Sequence, residues 1–313
     1  MRSFPRLSSP AVLSPMSGVT DVAFRALAKK YGAGLTYTEF VSSAGIVRGN
    51  PAYLRMVETS PVEKPVAVQL FGSSVEEVVE AAKIVEEKFD IIDVNCGCPA
   101  WKVVKSGAGS ALLNDPVKIT SFVSRLVSQV SKPVTVKIRT GITEQSINAV
   151  EVARAVENAG ASAIAIHGRT QKQGYSCVAY WNIIKKVKDS VNIPVIGNGD
   201  VFTPEQFKQR LEQSGVDAIM IARGAVGNPY IFQQINDYLR SGVYEKHSLM
   251  GEKSALFFEY LSIAEKYDVS FSTIKNHAIS FTKEVPNGAE VRRELMACKT
   301  KEEVVEEIKD VKN

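Results

Sequence analysis

The chain has 313 residues, of which 45% are hydrophobic and 23% charged, with four cysteines and a formal net charge of +4. This composition excludes a disordered chain and a disulfide-stapled miniprotein, and the length suits one large domain or a large one with a small one. A membrane span is excluded too, since no apolar run reaches roughly 18 residues.

The opening residues carry Arg2 and Arg6 but no apolar run long enough for a signal peptide. The cysteines (Cys96, Cys98, Cys177 and Cys298) form no disulfide framework, which fits a reducing, cytoplasmic setting. The first strand is predicted at 12–13. Thr20 is placed to cap a helix over 21–31, with Gly32 ending it. Strands follow at 35–38 and 66–70. Ser73 or Ser74 then caps a helix through Val78, Ala82 and Val85. The next strand, 91–95, stops at Gly97 and Pro99. A long loop is predicted after it, with Lys102, Lys105, Ser106, Gly107 and Gly109. Asp115 and Pro116 start a helix, 134–138 is a strand, and 147–158 is a helix. Strands at 163–167, 195–197 and 218–221 complete the set, with a helix starting at Pro204 between the last two. From about Tyr238 the strand signal ends, and 250–313 reads as helical throughout. The expected fold class is α/β: a TIM (β/α)8 barrel over 1–242 and a small all-helical domain over 243–313. A doubly wound sheet is the alternative. It lacks support, because the turn after the first strand holds a single glycine, Gly18.

Strand alternation points to a site. Val134, Val136 and Ile138 share one face, while Thr135, Lys137 and Arg139 share the other. Ile164 and Ile166 oppose Ala163, Ala165 and His167. Val68 opposes Gln69, and Val94 opposes Asp93 and Asn95. The second face turns polar toward the C-terminal strand ends, which form the mouth of a barrel. The pattern is less clean in the seventh and eighth strands. Lysine and arginine on one inward face call for an anionic or ordered polar ligand. Gly197-Asn198-Gly199-Asp200 and Ala222-Arg223-Gly224 follow the seventh and eighth strands, where barrels commonly hold phosphate. Cys98 is open to three readings: structural thiol, metal ligand or catalytic acid. Cys96 and Cys98 supply only two metal ligands with no histidine at metal spacing, so no metal is expected. Trp101 and Tyr175 are placed on loops, where an aromatic stacks a base or packs as a lid. His247 is expected at the surface, and His277 touches RNA or packs.

These segments resemble the tRNA-dihydrouridine synthase (Dus) family over nearly the whole chain. The matching stretches are Ser14-Pro-Met-Ser-Gly-Val-Thr-Asp21, Val68-Gln-Leu-Phe-Gly72, Asp93-Val-Asn-Cys-Gly-Cys-Pro99 and Lys105-Ser-Gly-Ala-Gly-Ser-Ala-Leu112. Val136-Lys-Ile-Arg-Thr-Gly141, His167-Gly-Arg-Thr170, Gly197-Asn-Gly-Asp200 and Ala222-Arg-Gly-Ala-Val-Gly-Asn-Pro229 continue them. The resemblance implies FMN-dependent reduction of the C5–C6 double bond of uridine in tRNA. Hydride would come from reduced flavin, a proton from Cys98, and NADPH would be the electron donor. It implies that Pro15, Met16, Gln69, Lys137, His167, Asn198, Gly199, Asp200, Ala222, Arg223 and Gly224 hold FMN. Asn95, Arg139 and Tyr175 would contact the substrate, and the helical tail would bind tRNA. Lys275, His277, Lys283, Arg292, Arg293 and Lys299 are the candidates there, in a stretch (275–301) with six basic against three acidic residues. The protein is expected to act as a monomer. The chain departs from the family pattern at Gln171, Cys177, Tyr180 and Ala222, where Arg, Gly, Asp and Gly are usual. A different FMN barrel acting on a small pyrimidine, and an RNA-binding barrel without catalysis, are the competing readings.

Overall fold

A computed structural model describes residues 2–246, 250–283 and 286–310. His247 lies outside the described residues. Eight strands form one all-parallel sheet: β1 (Ala11–Leu13), β2 (Thr36–Ser42), β3 (Val66–Phe71), β4 (Ile91–Cys96), β5 (Val134–Arg139), β6 (Ala163–His167), β7 (Val195–Asn198) and β8 (Ala218–Ile221). Each pairs with its neighbour in the order β1-β8-β7-β6-β5-β4-β3-β2. The Leu13 N–H donates to the Leu35 carbonyl at 2.9 Å, which brings β1 back to the start of β2 and nearly closes the barrel. All eight expected strands are present. β2 runs further than its sequence suggests, because a register shift between Tyr37 and Phe40 restarts its pairing with β3.

The two faces of each strand divide as expected. Val66, Val68, Leu70, Ile92, Val94, Val134, Val136, Ile138, Ile164 and Ile166 join the core under the helices. Val12, Tyr37, Ala67, Ile91, Ala165, Ile196, Ala218 and Met220 fill the barrel interior, with Phe4 and Leu7 packed against them. β7 and β8 follow the same rule, with Ile219 and Ile221 outward and Met220 inward. Burying each Val, Leu, Ile, Phe or Met side chain among them contributes about 1.5–3 kcal/mol. The lower barrel interior is therefore mainly apolar, and the polar side chains become denser toward the mouth.

Local expectations are corrected in three places. The helix Val22–Lys30 is capped by Asp21, not Thr20. Asp21 Oδ1 accepts the Ala23 and Phe24 N–H groups at 2.9 and 3.1 Å, while the Thr20 hydroxyl is spent on Met16. The stretch after Pro99 is not a loop. It forms a helix, Trp101–Lys105, and a 3₁₀ segment, Gly109–Asn114. Third, the helix expected over 147–158 begins two residues later, at Ala149–Asn158. Elsewhere Ser74, Asp115 and Thr203 cap the helices Val75–Val85, Pro116–Gln129 and Pro204–Ser214.

The C-terminal region is helical: Met250–Lys266, Phe271–Phe281, Gly288–Ala297 and Lys301–Asp310. Phe257, Tyr260, Ile274, Phe281 and Leu295 share one core with Phe24 and Phe232 of the barrel shell. His277 packs rather than facing solvent. It is 2% exposed, stacks on Phe24 at 4.9 Å, and bonds Asp21 Oδ2 at 2.9 Å through Nε2. Among the described residues no helix is long and apolar enough to cross a membrane.

Candidate active site

At the C-terminal ends of the strands lies a cavity of about 400 Å³. Pro15, Met16, Gln69, Asn95, Cys98, Lys137, Arg139, His167, Tyr175, Asn198, Gly199, Asp200, Ala222 and Arg223 all line it. Gly224 does not. Its place is structural, since a Cβ there would meet the Val201 carbonyl at 2.6 Å. The volume falls in the range of small-molecule and cofactor sites.

The floor is a hydrogen-bonded row across β3, β4 and β5. Asp93, fully buried, accepts from Thr135 Oγ1 at 2.5 Å and from Gln69 Nε2 at 2.6 Å. Burial pushes its carboxyl up to about 6, against the pull of those two bonds and of Lys137. Gln69 Oε1 accepts from Asn95 Nδ2 at 2.7 Å. Asn95 Oδ1 accepts the N–H groups of Gly97 and Cys98 at 3.1 and 2.8 Å. Asn95 thus shapes the turn that carries Cys98. Arg139 clamps the same turn from the side. Its Nε donates to the Gly97 carbonyl at 3.0 Å, and its Nη1 donates to the Thr170 and Gly174 carbonyls at 2.9 and 3.2 Å.

The electrostatics set three protonation states. Burial raises the Cys98 thiol above its usual value, opposed by the Ala100 N–H, Arg139 and Lys137. The group is a neutral S–H at pH 7, able to give a proton. Lys137 has no hydrogen-bond or ion-pair partner among the described residues; burial, with Arg139 adding to it, pushes its pKa down to about 8. His167 is held well below its normal value by burial and by four surrounding cations, Lys137 foremost. Arg169 Nη1 lies 3.4 Å from His167 Nε2. A guanidinium can only donate, so Nε2 is the acceptor and Nδ1 carries the ring proton.

The β7 and β8 turns form a cradle. The N–H groups of Gly199, Asp200, Arg223 and Gly224 donate to no protein group among the described residues. Gly199 has φ 137, and a Cβ on it would meet Ala179 at 2.5 Å, so only glycine fits. Asp200 is held by Arg169 (2.7 and 2.9 Å), Arg223 (2.9 Å) and the Ala179 N–H (2.8 Å). The Arg223 guanidinium stacks over Tyr175 at 4.9 Å and Phe202 at 5.3 Å. Sequence reasoning gave no role to Arg169, Phe40 or Phe202, all of which line the cavity. Arg169 was findable, because carrying the β6 alternation two residues past His167 points it into the mouth. Phe40 was hidden by the register shift in β2.

The model of the family described as dihydrouridine synthase (Dus) matches residues 12–313. The chain belongs to the dihydrouridine synthase family. It is 36% identical over 303 residues to the probable tRNA-dihydrouridine synthase 1 of Synechocystis sp., covering 95% of this chain and 84% of that protein. It is 40% identical over 258 residues to tRNA-dihydrouridine synthase B of Pseudomonas aeruginosa, covering 82% and 77%. Histamine dehydrogenase from Rhizobium sp. 4-9 shares the fold, with a TM-score of 0.60 at 16% identity over 84% of this chain and 50% of that one. As a dihydrouridine synthase the chain carries its departures from the family pattern on the rim of the site. Cys177, where glycine is usual, has φ 60, a conformation that favours glycine. Its carbonyl accepts from Arg169 Nε at 3.2 Å. Tyr180 donates to Glu144 at 2.7 Å and accepts from Gln173 at 2.9 Å, which ties the Tyr175 loop to the turn after β5.

Proposed function

We propose that this protein reduces the C5–C6 double bond of uridine in tRNA to dihydrouridine, with FMN as its resident cofactor and NADPH as electron donor. The observation that carries the reading is the meeting, in one cavity, of a protonated Cys98, an unpaired Lys137 and a cradle of free N–H groups. Relatives bearing the name tRNA-dihydrouridine synthase support the choice of substrate.

The residues present fit FMN. The Gly199, Asp200 and Arg223 N–H groups, with the Arg223 cation, suit a phosphate. Lys137, with no ion-pair partner among the described residues and only partly offset by the Asp93 carboxylate, suits a ring that carries negative charge when reduced. When bound, FMN supplies the hydride that adds to uracil C6. The remaining work falls to the chain. Cys98 protonates C5 from its S–H, and Arg139, Lys137 and the Ala100 N–H stabilise the thiolate left behind. Asn95, Arg139 and Tyr175 orient the base. A uridine buried in a folded RNA must turn outward to enter this mouth. Residues 243–313 serve as the tRNA-docking unit, and the protein works as a cytoplasmic monomer.

The test is Cys98→Ala. Flavin reduction by NADPH should continue near the wild-type rate, while dihydrouridine formation, read by mass spectrometry of tRNA, should fall about 10²–10⁴-fold. Cys96→Ala should leave both rates near wild type, because Cys96 is buried on the outward face of β4 among core residues. Wild-type turnover by Cys98→Ala would reject the assignment.

A further inference from the structure

Asp93 does not reach the cavity, yet it begins the only continuous chain of side-chain hydrogen bonds that ends at Cys98 among the described residues. The chain has a direction. An ionised carboxylate only accepts, and Thr135 Oγ1 already donates to Asp93 Oδ1 at 2.5 Å. Gln69 must therefore aim its NH2 at Asp93 Oδ2, 2.6 Å away. That leaves Gln69 Oε1 facing Asn95, which must answer with its own NH2 at 2.7 Å. Asn95 Oδ1 then faces the N–H groups of Gly97 and Cys98. Reversing one amide alone would place N–H against N–H, or oxygen against oxygen, inside a buried site. Asp93 and Gln69 are fully buried and Asn95 is 7% exposed, so water has little access to repair such a mismatch.

We infer that Asp93 is a positioning residue: it fixes the orientation of the Gln69 and Asn95 amides and through them holds the Cys98 turn. Neither amide has this preference by itself, since a carboxamide offers a donor and an acceptor of nearly the same shape. The tie is broken from both ends, by Asp93, which cannot donate, and by the Gly97 and Cys98 N–H groups, which cannot accept; the two demand the same orientation, so Asp93 locks the relay that the turn needs. The inference deepens the reading of Cys98 as proton donor, but its measurement does not depend on that reading.

The experiment is a swap along the relay, read by the alkylation rate of Cys98 with iodoacetamide, resolved by peptide mass spectrometry on the full chain. In Asn95→Asp the new carboxylate demands a donor from Gln69, whose oxygen must then turn to Asp93. The turn should loosen and Cys98 should react about tenfold faster. In the double variant, Asp93→Asn with Asn95→Asp, the relay runs backwards without conflict. Position 93 donates to Gln69 Oε1, Gln69 Nε2 donates to position 95, and position 95 still accepts from Cys98. Its alkylation rate should return to within about threefold of wild type, a rescue that independent structural damage at two sites would not give. A double variant at least as reactive as Asn95→Asp overturns the inference. If Asn95→Asp alone fails to fold, a folded double variant supports the relay, and failure of both overturns it. Turnover is measured alongside. Rescue of the thiol without rescue of turnover would leave the relay standing and is the outcome expected if the Asn95 amide itself orients the base, whereas rescue of both would count against that role of Asn95 in the proposed reaction.

Discussion

Lys137 is the residue whose surroundings say most about its ligand. A desolvated ammonium with no ion pair is costly, the attraction of Asp93 offsets it only in part, and its pKa, pushed down to about 8, records the net cost. An anionic ligand restores the balance and binds the ammonium better than the neutral amine. Below about pH 8 the free protein already holds the proton, so FMN affinity should be nearly flat. Above about pH 8 the proton is lost in the free protein, and affinity should fall by up to about tenfold per pH unit. Anaerobic equilibrium titration of flavin-free protein with reduced FMN, whose ring carries the negative charge, measures the slope across this range. Lys137→Gln should bind FMN more weakly at neutral pH and remove the slope; an unchanged slope would place the titrating group elsewhere. Cys98 also titrates above neutrality but with the opposite charge consequence: burial raises its thiol and keeps the neutral S–H through the physiological range.

At the scale of elements, the Cys98 turn is held by Asn95, by Arg139 and by Ser110, with Gly109 packed closely against it. The Cys98 carbonyl accepts from the Ser110 N–H at 3.1 Å and its hydroxyl at 2.9 Å. Gly109 has φ 60, and a Cβ there would meet Val103 at 2.8 Å and the Cys98 carbonyl at 2.9 Å. Gly109→Ala should therefore cost about 1–2 kcal/mol from its backbone conformation alone. It should also speed Cys98 alkylation, and a thermal melt with peptide-resolved labelling checks both. The same elements show what the sequence made legible. Period-two alternation in β3 to β6 separated core from mouth, because each strand buries one face under helices and turns the other to the barrel axis. That placed Gln69, Lys137 and His167 correctly. The helix Trp101–Lys105 was not legible, since five residues complete too little of a helical period to show. Trp101 is consequently on a helix, 71% exposed, with Lys105 Nζ 5.6 Å from its ring. The choice of Asp21 over Thr20 as cap was invisible because both residue types cap well; the hydrogen bonds from Thr20 to Met16 decide it.

At the scale of the molecule, the tail and barrel are joined through the loop that follows β1. His277 bonds the Val19 carbonyl at 3.1 Å and Asp21 at 2.9 Å, and Tyr260 donates to Asp21 at 3.2 Å. Met16 and Pro15 of that loop line the cavity, so tail packing and site shape share one segment. This restricts which tail residues can meet RNA. His277 is committed to the barrel. Lys275 donates to the Met296 and Cys298 carbonyls at 2.7 and 2.6 Å, and Arg292 to the Thr282 carbonyl at 2.6 Å. Lys283, Arg293 and Lys299 remain exposed. An RNA backbone is bound largely through its phosphates, and removing a cation that meets one weakens binding and flattens its salt dependence. The expected outcome for Arg293→Glu with Lys299→Glu is weaker tRNA binding, with a log–log salt slope shallower by about 2. FMN uptake and flavin reduction by NADPH should not change, because neither residue touches the cavity. His277→Ala should behave in the opposite way. It removes a buried ring and leaves Asp21 short of a partner, so it should lower the melting temperature and disturb FMN binding through the β1 loop while leaving the salt slope as it was. Filter binding across a salt series, paired with FMN titration of each variant, separates the two. Wild-type tRNA affinity in the double reversal would move the docking surface off this face of the tail.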